Sequence, residues 1–139
     1  MYCLDTDVLS AVIKREPPLH LVRRLARTAP SDQCTTAITL GELLYGVTRR
    51  GSPALAARVG DLIASAGAIL PFDESAAQRY GTLRARLEAD GRRLAEPDLR
   101  IAAIALARGA TLVTGNVRHF ARVPELRIEN WLIEETSTR

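Results

Sequence analysis

The chain has 139 residues, 47% hydrophobic and 25% charged, with 19 basic against 16 acidic side chains and a net charge of +3. That length suits one domain and can bury about two-thirds of its unfolded surface without disulfides or a structural metal. Composition excludes disorder and fibres, and no apolar run approaches the roughly 20 residues of a membrane span.

The first strand is expected at Tyr2-Cys3-Leu4, stopping at Asp5. Helices are expected over Val8 to Lys14, before Pro17-Pro18, and over Leu19 to Thr28, which carries an arginine face. Gln33 to Thr36 is β-prone, and Thr39-Leu40-Gly41-Glu42 has the spacing of a capping box opening a helix through Leu43, Leu44 and Val47. Ala54 to Ala66 has helical periodicity, and Ala68 to Pro71 is a third strand. Ser75-Ala76-Ala77-Gln78 is a second capping box, opening a helix that stops near Gly91. Pro97 fits the first position of a helix over Asp98 to Arg108, with Gly109 as its stop. Thr111 to Thr114 is a strand, Gly115-Asn116 a turn, Leu126 to Ile128 a last short strand, and Glu134 to Arg139 a polar tail that frays. Strands alternating with helices along the whole length imply an α/β layer structure around a parallel sheet.

Cys3 and Cys34 lie in apolar strands and read as small buried hydrophobes. The histidines, His20 and His119, stand alone in sequence, which argues against zinc. Lys14 is the only lysine, so the other 18 basic residues are arginine, whose planar fork suits phosphate and carboxylate. The opening Met1-Tyr2-Cys3-Leu4-Asp5 has an acid where a signal peptide has basic and apolar regions, so the expected compartment is the cytoplasm.

In an open parallel sheet, ligands collect beyond the carboxyl ends of the strands. Asp5 ends the first strand, Glu42 lies early in the helix after the second, Asp98 opens the helix that feeds the fourth, and Asn116 follows the fourth. Connectivity therefore places all four on one rim. Local roles compete with this reading: Glu42 completes the capping box, and Asp98 suits a helix dipole. Acids gathered at one edge repel each other unless a cation sits between them, and hard ions such as Mg2+ or Mn2+ answer that need. Such an ion can activate water for an in-line displacement at phosphorus. Asp5 and Asp98 are the expected metal ligands, Glu42 completes the site or orients the water, and Asn116 adds a neutral oxygen ligand or holds a metal-bound water. Arg100 and Arg118 are candidate phosphate contacts.

The chain resembles the PIN-domain ribonucleases, in particular the VapC-type toxins of bacterial toxin–antitoxin pairs. The resemblance rests on Leu4-Asp5-Thr6-Asp7-Val8-Leu9-Ser10, on Ala37 to Gly46, on Pro97 to Ala103 and on Thr111 to Phe120, with Val123-Pro124 and Asn130-Trp131 beyond. It runs in order over residues 2–132, which are expected to form a single PIN domain followed by the polar tail 133–139. It implies a three-layer, Rossmann-like α/β fold with a parallel sheet of four to five strands flanked by helices. It also implies a metal-dependent endoribonuclease with Asp5, Glu42 and Asp98 as site acids and Mg2+ (or Mn2+) as cofactor. By the same resemblance Thr114 is a small hydroxyl residue near the metal water. Asn116 replaces a common fourth acid, which favours one metal, and Asp7 and Glu96 are possible accessory acids. The implied partners are RNA, a second copy forming a homodimer, and a cognate VapB-type antitoxin that puts a basic side chain into the acidic site. Leu40, Leu43, Leu44, Tyr45 and Val47 serve either the core or such an interface. Two other readings compete: a haloacid-dehalogenase-like phosphatase with Asp5 as nucleophile, which lacks the later lysine, and a non-catalytic PIN-like module that binds RNA or antitoxin.

Overall fold

The computed structural model describes residues 1–134; the expected frayed tail falls mostly at 135–139, outside the described residues. In chain order the elements are β1 (Tyr2–Leu4), α1 (Thr6–Val12), α2 (Leu19–Ala26), a 3-10 turn (Pro30–Asp32), β2 (Gln33–Thr36), α3 (Ala37–Arg50), α4 (Pro53–Ser65), β3 (Ala68–Leu70), α5 (Glu74–Ala89), α6 (Glu96–Ala107), β4 (Thr111–Val113), α7 (Val117–Phe120) and β5 (Ile128–Glu129). The five strands form one parallel sheet in the order β3-β2-β1-β4-β5. The chain thus builds outward from β1 on one side, then returns to build outward on the other. The reversal falls between β1 and β4, whose registered pairs are Tyr2 with Thr111, Cys3 with Leu112 and Leu4 with Val113.

Period-two alternation divides the core between the two faces of the sheet. Cys3, Cys34, Leu70 and Leu112 pack with Leu83 and Leu87 of α5 and with Leu99, Ile101 and Ile104 of α6. Leu4 and Val113 point the other way and pack with Val8 and Leu9 of α1, Leu21 of α2, Leu43 of α3, Val59 of α4 and Trp131. Ile101 to Ala105 in α6 are all buried, which requires the short Ala102, Ala103 and Ala105 side chains where α5 and the sheet crowd the helix. Cys3 and Cys34 are registered partners across β1 and β2, both free and buried, as expected for packing residues.

Several element starts differ from the expectations. The first helix begins at Thr6, two residues early, because the Asp5 carboxylate caps it by accepting from the Thr6 N–H at 2.8 Å. Neither capping box forms as expected. In α3 the cap is Thr36, whose hydroxyl accepts from the Thr39 N–H, so Thr39 is the third residue of the helix and Glu42 lies in its second turn. In α5 the cap is Asp73, whose carboxylate accepts from the Ala76 N–H, leaving Ser75 inside the helix. Each time an earlier cap residue closes the same geometry and lets the helix begin at the strand end or loop. Helix α6 starts at Glu96, so Pro97 is its second residue. Gly109 follows α6 with φ of +62°, a left-handed conformation in which glycine stops a helix without a Cβ clash, as expected. The last strand is shifted to Ile128–Glu129.

Candidate active site at the switch of strand order

Asp5 and Thr114 end β1 and follow β4, the two strands between which the order reverses. The Thr114 hydroxyl donates to Asp5 Oδ2 at 2.8 Å, joining the two strand ends. Asp5 Oδ1 is occupied by the Thr6 N–H, so both carboxylate oxygens are held and the side chain is 5% exposed. Burial is the main influence on its ionisation and drives its pKa up to about 6; the bonds from Thr114 and Thr6 oppose this, and the nearby charges of Asp7 and Asp98 add to it. Asp98, in the first turn of α6, is also raised, first by burial and then by Glu42 and Asp7, with His119 pulling the other way. Two acids with raised pKa values and mutual repulsion mark a place where positive charge is missing.

Asp5, Thr6, Asp7, Ser10, Glu42, Asp98, Gly115 and Asn116 line one open groove of about 480 Å3. The expectation that Asp5, Glu42, Asp98 and Asn116 share a rim is therefore what the tertiary structure produces. Their side chains surround the groove without closing on one point: among the described residues no three His, Cys, Asp or Glu side chains form a ready-made metal cluster. An ion such as Mg2+ keeps several of its waters and takes only one or two carboxylates directly, so it does not require a closed cluster. The donors are all hard oxygens, and the raised pKa of Asp5 shows a carboxylate short of a countercharge, so the residues present fit a divalent ion.

The remaining candidates divide. Asp7 belongs to the groove and holds its floor, since Oδ2 accepts from the Gly115 N–H at 2.8 Å. Thr114 lies beneath the groove, fully buried, and acts through Asp5. Glu96 is turned away: it accepts from the Tyr80 hydroxyl at 2.7 Å and pairs with Arg84 and Arg100, each at 3.2 Å. It does not line the groove, and Arg100 is engaged in the same cluster. Arg118 is exposed on α7, outside the groove lining, with no ion pair among the described residues. Three contributors escaped sequence reasoning. Thr6 donates to Glu42 Oε1 at 2.8 Å and so aims that carboxylate. Ser10 lines the groove one helical turn beyond Thr6. His119 reaches Asn116 from the next turn, and its position three residues after Asn116 was the available clue.

Comparison with known proteins bears on this geometry. The PIN-domain family profile matches residues 2–126. Ribonuclease VapC2 of Haemophilus influenzae is 37% identical over 131 residues, covering 94% of this chain and 98% of that protein. The tRNA(fMet)-specific endonuclease VapC of Salmonella typhimurium is 35% identical over 130 residues, covering 94% and 97%. The crystal structure of VapBC2 from Rickettsia felis, bound to a DNA fragment of its promoter, superposes with a TM-score of 0.83 at 31% identity, covering 94% of this chain and 98% of that one.

Proposed function

The chain belongs to the PIN-domain family, and from that premise we propose that its groove is the active site of a metal-dependent endoribonuclease toxin. It is a ribonuclease of the VapC kind, and its partner is an antitoxin of the VapB kind. The observation that carries the site reading is the convergence of Asp5, Glu42 and Asp98 where strand order reverses, with Asp5 raised to about 6.

Asp5 and Asp98 would hold a Mg2+ or Mn2+ ion, with Glu42 at the outer side of the site. Such an ion would neutralise charge at the phosphodiester and bring the pKa of water down toward neutrality. Thr114 keeps one Asp5 oxygen fixed, and the Thr6 N–H keeps the other, so the carboxylate does not reorient when charge arrives. Thr6 also aims Glu42, whose carboxylate orients the attacking water and accepts its proton. Asp7 holds the Gly115 turn and through it the place of Asn116.

Partners follow the same electrostatics. A guanidinium from the antitoxin pairs with the acids where metal and phosphate otherwise bind, which inhibits the enzyme. On α3, Leu43 is buried and Leu40 and Val47 are half-buried, but Leu44 is 45% and Tyr45 62% exposed. The apolar cluster therefore splits between core and surface, and the exposed pair supports a homodimer or antitoxin contact. No helix among the described residues is long and apolar enough to cross a membrane. The phosphatase alternative draws no support from the structure, since the only lysine, Lys14, lies just past α1 and does not line the groove. The non-catalytic alternative is separated by experiment.

The deciding test incubates the purified protein with total RNA and Mg2+ and maps new 5′ ends, with tRNA(fMet) as the first single substrate. Discrete cleavage that needs the ion and disappears in Asp5→Asn and Asp98→Asn is expected. Cleavage of equal strength without metal overturns the mechanism, and binding without any cleavage favours the non-catalytic module.

A further inference from the structure

Asn116 lines the acidic groove, yet its side-chain oxygen is already engaged. Oδ1 lies 2.5 Å from Nδ1 of His119, one turn further on in α7. An amide oxygen only accepts, so the ring nitrogen carries the hydrogen and donates. That bond turns the amide about its terminal torsion, leaving Nδ2 as the free end, with no hydrogen-bond partner among the described residues. The backbone beneath is equally constrained. The Asn116 N–H donates to Thr114 Oγ1 at 3.0 Å, and the Thr114 hydroxyl donates on to Asp5 Oδ2. Gly115 between them is tied by its N–H to Asp7 Oδ2 at 2.8 Å.

The rest of the groove is rich in acceptors, the carboxylate oxygens of Asp5, Asp7, Glu42 and Asp98. A phosphodiester brings non-bridging oxygens that also only accept. A neutral amino group at the rim meets that need without competing with the carboxylates for a cation. Oδ1, by contrast, is directed to the His119 ring, which leaves the amide nitrogen as the end available to a ligand in the groove.

We propose that Asn116 binds substrate rather than metal: its Nδ2 donates to a non-bridging phosphate oxygen of the RNA in the groove, and His119 is the positioning residue that keeps Oδ1 turned away. The proposal rests on the nuclease reading of the groove and assigns a role within it. Because the amide is held before substrate arrives, little ordering entropy is lost on binding.

Two measurements separate donor from ligand: Mn2+ affinity of the RNA-free protein by calorimetry, and affinity for labelled tRNA(fMet) in Ca2+, under conditions in which the RNA stays intact. Asn116→Ala is expected to weaken RNA binding about tenfold while changing Mn2+ affinity by less than about twofold, the loss of one hydrogen bond to a charged group. Asn116→Asp also loses RNA affinity, since it replaces a donor by a charge. His119→Ala falls between wild type and Asn116→Ala, His119→Gln recovers because its amide still donates, and the double alanine variant is no worse than Asn116→Ala. Mn2+ binding weakened in Asn116→Ala, with RNA binding unchanged, overturns the proposal. His119→Ala indistinguishable from wild type in RNA binding overturns the part given to His119. Wild-type protein that cleaves no RNA with any divalent ion removes the nuclease reading itself, an outcome distinct from either.

Discussion

Glu96 and Asp98 sit two residues apart in the first turn of α6 and meet opposite electrostatic surroundings. Glu96 faces α5, where the Tyr80 hydroxyl, Arg84 and Arg100 hold its carboxyl below the usual range, the tyrosine bond foremost. Asp98 faces the groove, where burial, Glu42 and Asp7 hold it above that range. The first acid is compensated by the chain itself and serves to fasten α6 to α5. The second is left uncompensated, which costs stability in the isolated protein and reserves the place for a cation from outside. The arginines did not go to the rim: among the described residues none lines the groove, Arg100 pairs with Glu96, and Arg118 stays on the surface.

The contrast is broken most sharply by neutralising each acid in turn. Asp98→Asn and Asp5→Asn are expected to lower single-turnover cleavage on the order of a thousandfold, since a lost ligand removes several kcal/mol of stabilisation at the reacting phosphate. Glu96→Gln, two residues away, is expected to leave the cleavage rate within about threefold, because its exposed ion pairs lie outside the groove and are screened by solvent. Equal losses at both positions would erase the distinction drawn here.

Titration sharpens it next. In the metal-free protein, Asp5 has a folded pKa of about 6 against an ordinary value of 3.8. The folded state therefore favours its protonated form. The stability this contributes is fully present below the ordinary value and is lost as pH rises through the folded one. The loss amounts to roughly 3 kcal/mol across that window, and thermal melts of wild type against Asp5→Asn measure it. Glu96 has the opposite sign, since its lowered pKa contributes stability above its ordinary value of 4.5 that is lost on acidification. Mg2+ is expected to restore the melting temperature near neutral pH in wild type and Glu96→Gln but not in Asp5→Asn, by about 2.7 kcal/mol at a hundredfold excess over Kd.

A packing change follows. Gly115→Ala forces a Cβ against Asp7 and Leu132, and overpacking of this kind costs about 1–3 kcal/mol in chemical denaturation. The smallest effect is expected at Arg118, which lies outside the groove: Arg118→Ala should change tRNA(fMet) affinity by less than about twofold, and only through screened surface charge.

Much of the architecture was legible along the chain because its cues are local. The apolar or β-prone runs at residues 2–4, 33–36 and 111–113, and Gly109 after α6, depend on neighbours within a few positions, and the structure reproduces them. Helix starts were less legible. Thr36 and Asp73 compete with Thr39 and Ser75 as caps, and the winner is set by where the strand or loop delivers the backbone. The four rim residues were readable because connectivity alone sends strand ends to one edge. Glu96 misled for the same reason: closeness in sequence to Asp98 says nothing about the face of α6 it occupies.

From its sequence alone this protein was committed to a parallel α/β sheet with Asp5, Glu42, Asp98 and Asn116 at one edge, since periodicity and strand order are properties of neighbouring residues. Which acids remain without a countercharge was decided only by tertiary structure. That outcome depends on the Tyr80, Arg84 and Arg100 side chains closing around Glu96, and on β1 and β4 meeting so that Thr114 can bury Asp5. The Tyr80 contact spans 16 residues and the Thr114 contact 109, separations at which packing rather than the local chain sets the geometry; only the Arg100 pairing lies within one helical turn.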